Sequence, residues 1–318
     1  MSNEDNNTIT RATGLLVVEV INSNPNGDPD RESDPRQRPD GRGEISPVSF
    51  KRKIRDLIDN KEGEVWKHIK EALKLDSGRH DILESRDRGF KGVESPQAAW
   101  SRVLELIDGD ARKAKEKYWD ARVFGATFLE KGEEAPKGAA AGKDRKFIRT
   151  GVAHFGLGVS MAPINIRRLS MSKMASAQEE KIQGYAPLGF RVVEHGVFTI
   201  PFFINPNAAT KSGCTSQDIR VLLNTIPYAY AFTRSLPRTM VEIRHAWYME
   251  HKSALGSCSD FALISALTPK KKDDPKSPST SWDDYEHPTF ESPAFAGLKE
   301  KLAACRDLMN EAYATASS

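Results

Sequence analysis

The sequence predicts an α+β fold whose strands and helices follow the order β-α-β-β-α-β. Four apolar or alternating segments are typical of strands, and two segments that begin at helix-capping residues are typical of helices. This order is the ferredoxin-like plan, which RNA-recognition modules use. Because many domains with this plan bind no RNA, the fold class alone decides no function.

The first strand and the first helix are predicted on either side of a long polar segment. Residues 14–22, GLLVVEVIN, form an apolar, β-branched run typical of a central strand. Residues 24–43 are rich in Pro, Gly, Asp and Asn, and this composition predicts a loop. Ser46 is the predicted cap of a helix that continues to about residue 59, with Pro47 in its first turn.

The remaining core elements follow after residue 147. They are one or two strands within 150–169, a strand at 190–204, a helix at 215–231 and a strand at 240–252. A Thr or Ser cap and an acidic first turn mark the start of this helix. We expect Pro227 to end or kink it, because proline lacks a backbone donor.

Other segments are predicted outside this core. Two helix candidates lie at 65–75 and 95–107. Residues 131–146 are low in bulky apolar side chains and predict a mobile surface loop. Residues 269–288 predict a second polar loop, and residues 293–314 predict one amphipathic helix.

Composition and charge restrict the possible functions. The chain has 318 residues, of which 38% are hydrophobic and 29% charged, as in soluble globular proteins of one or two domains. The net charge of +3 is too small to indicate a nucleic-acid partner, so that case rests on local clusters. Three scattered cysteines, a polar N-terminus and the lack of a long apolar run predict a cytoplasmic protein with no membrane partner.

The predicted first helix opens on a cationic cluster, Lys51, Arg52, Lys53 and Arg55. Lys51 and Arg55 are four residues apart, so they project from the same face. A phosphate backbone would offset these cations, which the helix dipole disfavours at this end. A solvated surface face is the alternative, and spacing alone does not separate the two.

The polar segment carries several carboxylates, among them Asp28, Asp30, Asp34 and Asp40. They supply the oxygen ligands that a hard cation prefers, but Pro29 and a missing glycine break the EF-hand pattern. Turn formation by Asn-Pro, Asn-Gly and Asp-Pro explains the same residues. Seven histidines show no metal-binding spacing, and Gly156 and Gly158 lack the rest of a dinucleotide fingerprint. We therefore predict no catalytic residue, no metal site and no cofactor.

The stretch RRLSMSKM (167–174) separates two predicted strands. It is consistent with a long hairpin that carries Arg167, Arg168 and Lys173 and exposes methionines to nucleic-acid bases. On the residues alone, ordinary hairpin packing with methionine filling gaps is the preferred explanation.

Several segments together resemble a known family. They are NPNGDPD (24–30), SFKRKIR (49–55), YWDARVFGATF (118–128), GVSMAPINIRRLSMSKM (158–174), EHGVFTIPFFINP (194–206) and RHAWYMEHKSALGS (244–257). They resemble the backbone subunit of type I CRISPR Cascade complexes, CRISPR-associated family seven, and are most similar to its type I-C branch. The first motif is the most specific.

The resemblance implies a modified RNA-recognition palm with a helical finger insertion and a β-hairpin thumb. It places the palm at 14–59 and 147–268, the finger at 60–146, the thumb at about 167–190, and a linker with a C-terminal helix at 269–318. It also implies a non-enzymatic subunit that binds the guide RNA (crRNA). Multiple copies would stack along the guide beside other Cascade subunits and present it in segments to a target DNA strand.

The resemblance also assigns RNA-binding residues. On the first palm helix these are Ser46, Lys51, Arg52 and Arg55. In the thumb they are Arg167, Arg168, Met171, Lys173 and Met174. His154, with Gly156, is expected to line the same groove.

Two other functions stay open at this point. Backbone subunits of type III complexes resemble this fold and cleave RNA with a loop aspartate, so the chain is alternatively a metal-dependent endoribonuclease that uses aspartates of the 28–40 loop. The NPNGDPD signature (24–30) resembles the type I branch, which favours a structural role for these acids. The third possibility is an interaction protein that binds no nucleic acid.

Overall fold

The computed structural model describes residues 8–76, 78–85, 116–128, 147–174 and 185–316. The predicted helix at 95–107 and the predicted loop at 131–146 lie outside these ranges. Within them, no helix is long and apolar enough to cross a membrane.

The chain is a mixed α/β protein built on one large antiparallel sheet. In the described part of the chain the strands are β1 (Ala12–Ser23), β2 (Gly27–Asp28), β3 (Asp34–Pro35), β4 (Arg42–Ile45), β5 (Gly125–Phe128), β6 (Phe147–Thr150), β7 (Ala153–Phe155), β8 (Gly158–Pro163), β9 (Ile166–Met174), β10 (Tyr185–Ile204), β11 (Val241–His251), β12 (Lys270–Lys271), β13 (Tyr285–Glu286) and β14 (Leu302–Asp307). The order across the main sheet is β14-β11-β1-β10-β8-β4, and β7 and β9 also pair with β10.

The helices connect these strands and cover the sheet. They are α1 (Pro47–Asp59), α2 (Glu64–Ala72), α3 (Trp119–Val123), α4 (Ala209–Ser212), α5 (Ser216–Thr225), α6 (Asp260–Leu267), α7 (Pro293–Lys299) and α8 (Leu308–Ala316). The elements predicted for the core are present as β1, α1, β8, β10, α5 and β11, with further strands and helices between them.

Strand β10 takes part in two different pairings. Its second half lies beside β1, from Val193 opposite Ser23 to Ile204 opposite Ala12. Its first half pairs with β9 and forms a hairpin that extends to Tyr185 opposite Met174. The hairpin therefore continues directly from a buried strand of the sheet, which fixes the position of its base.

Both faces of the sheet are buried. Leu16 and Val18 of β1 belong to a core shared with α1 and α5, whereas Leu15 and Val17 belong to a second core with α6 and α7. Side chains of a strand alternate between faces, so a strand buried on both faces needs an almost continuous apolar run. This confirms the prediction of a central first strand.

The predicted starts of both core helices are confirmed, whereas the second helix, predicted to reach residue 231, ends at Thr225. Ser46 caps α1, where its Oγ accepts a hydrogen bond from the Ser49 backbone N–H at 3.2 Å. Thr215 and Asp218 form a reciprocal capping box at the start of α5. The helix ends before Pro227, which lies in a 3-10 turn.

The prediction of a single C-terminal helix at 293–314 is wrong. Strand β14 separates α7 from α8 and pairs with β11, with Cys305 opposite Met249. Without this strand, one side of β11 would be a sheet edge with unpaired backbone groups. The amphipathic pattern is local, and this long-range pairing overrides it.

The predicted loop at 24–43 is partly ordered into strands. Gly27 pairs with Pro35 in a small two-stranded hairpin, and β4 joins the edge of the main sheet beside β8. The turn residues predicted in this loop thus connect short strands that satisfy its backbone hydrogen bonds.

Candidate nucleic-acid interface

Ser46 connects the polar loop to helix α1. Its Oγ donates to Asn26 Oδ1 at 2.8 Å, and the same oxygen accepts a hydrogen bond from the Ser46 backbone N–H at 2.9 Å. Together with the cap on Ser49, these bonds engage the Ser46 hydroxyl within the fold. The geometry thus gives Ser46 a part in positioning the helix.

Lys51 and Arg55 lie on one face of α1, as their spacing predicts. The Lys51 Nζ lies 5.1 Å from the centroid of the Phe124 ring, and the Arg55 Cζ lies 5.2 Å from the same centroid. Cations at this distance are attracted by the ring quadrupole. Phe124 therefore brings both cations together at the end of α3.

Arg55 is buried in an ion pair and points inward. Only 5% of the residue is exposed. Its Nε donates to Asp120 Oδ2 at 3.0 Å, and its Nη2 lies 3.0 Å from Glu84 Oε1. Asp120 also accepts backbone hydrogen bonds from Leu83 and Glu84 at 2.7 and 3.2 Å. With its guanidinium held by carboxylates, Arg55 is placed to position its neighbours rather than to meet an external phosphate.

Lys51 is a half-buried cation without an ion pair in the described part of the chain. Burial lowers the pKa of Lys51 below its ordinary value; the positive charge of Arg55 lowers it further, and Glu84 opposes this shift. Burial also lowers the pKa of His154, and the charge of Lys51 adds to that effect. His154, expected to line the same groove as the hairpin residues, lies instead near Lys51 of α1. An anion at this position would relieve the repulsion between Lys51 and Arg55.

The other two cations of the cluster have different surroundings. Arg52 donates to the Glu84 backbone oxygen and lies 3.9 Å from Asp56 Oδ1. Lys53 is buried and donates from Nζ to Thr233 Oγ1 at 2.9 Å. Lys51 is therefore the cation of this cluster that best suits an external anion.

Of the residues predicted in the hairpin, Arg167 contacts polar side chains of the fold and Arg168 is exposed. Arg167 donates from Nη2 to Asn22 Oδ1 at 3.2 Å, and its Nε lies 3.6 Å from Glu194 Oε1. Arg168 is exposed and lies opposite Arg191 in the β9–β10 pair. The backbones of Met171, Lys173 and Met174 continue β9 opposite Leu188, Ala186 and Tyr185. The side chains of these three residues, for which RNA binding is predicted, lie outside the part of the structure that is described.

The residues near α1 and the residues of the hairpin lie at different ends of β10. His154 is opposite Phe203, whereas Arg168 is opposite Arg191. At about 3.3 Å per residue, these positions on β10 are separated by about 40 Å. The structure therefore does not bring Lys51 and His154, near α1, into one pocket with Arg167 and Arg168 of the hairpin.

The carboxylates of the polar loop face arginines. Asp34 Oδ2 lies 2.6 Å from Arg191 Nη1, and Asp28 Oδ1 lies 3.9 Å from Arg36 Nη2. Asp40 and Glu44 lie near Arg38, at 3.7 and 4.0 Å. Among the described residues, no group of three or more His, Cys, Asp or Glu side chains is arranged to hold a metal ion.

Sequence reasoning missed two residues that shape the helix group, Phe124 and Asp120. Both come from the YWDARVFGATF segment (118–128), which carried part of the resemblance but received no role. The available signal was an acid within a short segment rich in aromatic side chains, and the structure shows that Asp120 and Phe124 are both buried. Their contact with α1 joins residues far apart in the chain, which periodicity does not reveal.

Comparison with protein families gives a match over most of the chain. A family model described as "CRISPR-associated protein Cas7" matches residues 10–289. A "CRISPR-associated protein Cas7" of Haloferax volcanii is 23% identical over 222 residues, which are 68% of this chain and 62% of that protein. The aligned region thus spans less than two thirds of that relative.

Solved structures show weaker similarity. A chain of a "CRISPR RNA-guided surveillance complex, pre-nicking" is 11% identical, with a TM-score of 0.44 and coverage of 83% of this chain and 84% of that chain. A chain of a "Type III-B Cmr-beta bound to cognate target RNA" is 9% identical, with a TM-score of 0.38 and coverage of 76% and 61%. At these TM-scores the similarity supports no conclusion about function or complex type.

Proposed function

The chain belongs to the Cas7 family of CRISPR-associated proteins, and from this premise we propose that it is a guide-RNA-binding backbone subunit of a CRISPR interference complex. Several copies assemble along one crRNA, together with other subunits, and leave segments of the guide free to pair with a target DNA strand. The NPNGDPD segment (24–30) supports assignment to type I, closest to the type I-C branch.

The proposal also assigns elements of the fold to the palm, thumb and finger of this family. We infer a ferredoxin-like palm in which β1, β8, β10 and β11 are the four core strands and α1 and α5 are the two helices. Across the sheet these strands stand in the order fourth, first, third, second, which supports this plan. The β9–β10 hairpin is the proposed thumb, and residues 60–146 are the proposed finger.

The observation that carries the RNA-binding proposal is the environment of Lys51. A half-buried ammonium group lies beside His154 and the guanidinium of Arg55, with no carboxylate paired to it in the described part of the chain. A phosphodiester group supplies the missing negative charge without reading sequence.

The proposed role is non-catalytic. The alternative, a metal-dependent endoribonuclease, requires loop aspartates that are free to hold a cation. Asp28, Asp34 and Asp40 instead lie within 4 Å of arginines, whereas Asp30 is exposed. These contacts favour a structural role for the acidic loop.

Copurification tests the proposal. The full chain is expressed with a CRISPR transcript, purified and analysed for bound RNA by its 260/280 absorbance ratio and by gel. We expect an RNA of defined length with more than one protein copy per RNA by light scattering. Protein free of RNA would support the interaction-protein alternative and contradict the proposal.

Incubation of the same complex with complementary RNA and Mg²⁺ tests the absence of catalysis. We expect the RNA to remain intact. Regularly spaced cleavage that disappears in Asp28→Ala or Asp34→Ala would establish the ribonuclease alternative.

A further inference from the structure

Helix α6 lacks the charged outer face that a helix at the surface of a soluble protein usually has. Its sequence, DFALISAL, contains one charged residue, Asp260, at the first position. Leu263 and Leu267 are buried in the second core, on the inner side of the helix. Phe261 and Ser265 are four residues apart, so they share a face, and both are exposed. A helix that is apolar on all sides is usually buried, so we expect the outer side of α6 to be covered in an assembly.

The two most exposed large apolar side chains among the described residues belong to this site. Leu255, in the loop before α6, is 89% exposed, and Phe261 is 82% exposed. Scattered single apolar residues on a surface need no explanation. The backbones that carry these two are held together by Arg11, which donates to the Leu255 backbone oxygen and to the carboxylate of Asp260, each at 2.7 Å. We name Leu255, Phe261 and Ser265 the α6 surface.

Hydrogen bonds to buried residues fix the loop that carries Leu255. The Ser257 backbone N–H donates to His251 Nδ1 at 3.1 Å, and His251 Nε2 lies 3.1 Å from Asp260 Oδ1. Thr13 Oγ1 donates to the same carboxylate oxygen at 2.6 Å. His251 at the end of β11 and Thr13 in β1 are both buried, so they tie the loop to the main sheet. A surface fixed in this way loses little conformational entropy when a partner binds.

Positive charge predominates beside the α6 surface. Lys252 lies in the same loop and donates from Nζ to the Glu300 backbone oxygen at 2.6 Å. Burial raises the pKa of the Cys258 thiol and the positive charge of Lys301 opposes this shift, which places Lys301 near the start of α6. Lys252 and Lys301 are exposed and make no ion pair among the described residues. Two lysines thus stand against the one carboxylate of Glu300, and a partner with an excess of acidic side chains complements them.

A second copy of this chain does not offer that complement in the other run of exposed apolar side chains that the structure describes. This run consists of Phe232, Leu236 and Met240. The segment 232–240 that carries it contains Arg234 and Arg238 and no acidic residue. Because two cationic surfaces repel each other, charge favours a partner of different sequence.

We propose that the α6 surface docks a different protein through an apolar pocket with carboxylates at its rim. Leu255 and Phe261 enter the pocket, and Lys252 and Lys301 face the carboxylates. Aromatic side chains are enriched in the cores of protein interfaces, and their rims are polar. Helix α6 packs on the face of the sheet opposite to α1, so this partner does not compete with RNA at Lys51. The docking therefore goes beyond the proposed guide-RNA function and does not depend on it.

Photocrosslinking tests which molecule covers the surface. The full chain with Phe261→p-benzoylphenylalanine is produced in its native cells, the cells are irradiated, and the crosslinked peptide is identified by mass spectrometry. We expect a peptide of a different protein, with acidic residues beside the crosslinked position. The crosslink should persist after ribonuclease treatment and in a chain that also carries Lys51→Ala.

The identified protein is then purified, and its affinity for the full chain is measured by titration calorimetry. We expect Phe261→Ser to weaken binding at least about 10-fold. The double variant Lys252→Glu and Lys301→Glu should also weaken it, by about 10-fold at low salt and by less as the salt concentration rises. Phe232→Ser is the matched control, because Phe232 is also exposed, at 58%, but lies outside the α6 surface. Its affinity should equal that of the unmodified chain within about twofold.

Thermal melting of each variant establishes that it is folded, and we expect no loss because Phe261 and both lysines are exposed. Crosslinks at position 261 only to this chain, within one copy or between two copies, would overturn the proposal, as would the absence of any crosslinked protein. Unchanged affinity of Phe261→Ser, or of the double lysine variant, would also contradict it. If the unmodified chain binds no RNA but the crosslink forms, the guide-RNA function fails and the docking surface stands.

Discussion

At the scale of single residues, similar cations in this chain have different surroundings. Arg55 is enclosed by Asp120 and Glu84, whereas Lys51, one turn away, has no such partner among the described residues. The difference arises from which side chains reach α1 from α3 and the segment before it. Spacing in the sequence predicts the shared face but not the burial.

The Arg55–Asp120 pair provides the first prediction. Removal of one partner leaves a buried charge without compensation, so Arg55→Ala should lower the free energy of unfolding by about 3–5 kcal/mol. Urea denaturation measures this change. The control is Arg306→Ala, which removes an exposed pair with Glu311 and should cost less than about 1 kcal/mol. Equal, small losses for both variants would show that Arg55 is not buried in an ion pair.

A buried histidine provides the second prediction, which concerns pH. His80 packs against Trp66, with ring centroids 5.6 Å apart, and burial lowers the pKa of His80 from 6.5 to about 4. The unfolded chain then binds the proton more readily, so stability is lost as the pH falls from about 6.5 towards 4. Between pH 7 and pH 5 the free energy of unfolding should fall by about 2 kcal/mol from this group.

The measurement for His80 is urea denaturation at both pH values. A His80→Gln variant removes the titrating group. The difference in its free energy of unfolding between pH 7 and pH 5 should therefore be smaller than that of the unmodified chain by about 2 kcal/mol. The same pH dependence in the unmodified chain and the variant would rule out His80 as its source.

At the scale of elements, the packing of strand β1 depends on a glycine. A Cβ at Gly14 would lie 2.1 Å from carbon atoms of the Phe202 ring. That ring is held between Phe155 and Tyr248, with centroids 5.2 and 6.3 Å away. The aromatic stack spans three strands and leaves no space for a side chain at position 14.

The third prediction follows from this contact. Gly14→Ala overpacks the core and should lower the free energy of unfolding by about 1–3 kcal/mol. Adding Phe202→Leu to Gly14→Ala should recover part of the loss. Gly297→Ala on α7 is the control, because a Cβ there meets no atom within 4 Å. A Gly14→Ala chain as stable as this control would contradict the packing described for β1.

The sequence predicted the elements that local patterns specify. The apolar run of β1, the Ser46 cap of α1 and the capping box of α5 all have local signals. It did not predict β14, because that strand exists through pairing with β11. Likewise, the position of Arg191 opposite Arg168 depends on the register of the β9–β10 pair, which no local pattern in the sequence specifies.

At the scale of the whole molecule, both faces of the main sheet around β1 are covered by described residues and are not open to RNA. RNA-recognition modules bind bases on an exposed sheet surface. Here α1 and α5 cover one face, and α6, α7 and Tyr285 cover the other. The proposed RNA contacts instead lie at the start of α1 and at the hairpin base, about 40 Å apart along β10. Such an arrangement suits the backbone of an extended strand rather than the reading of individual bases.

The fourth prediction is also the most direct test of the central claim, that Lys51 binds the phosphate backbone of RNA. The measurement is the affinity of the full chain for a single-stranded RNA as a function of salt, compared between the unmodified chain and Lys51→Ala. Lys67→Ala is the control, because Lys67 is exposed on α2 and pairs with Glu64.

We expect affinity to fall linearly with salt on logarithmic scales, because phosphate contacts release counter-ions. Loss of one contact should weaken binding by Lys51→Ala about 3- to 10-fold for any RNA sequence and reduce the slope by about 0.7, while Lys67→Ala leaves both unchanged. If Lys51→Ala has the affinity and the salt slope of the unmodified chain, Lys51 does not bind the RNA backbone.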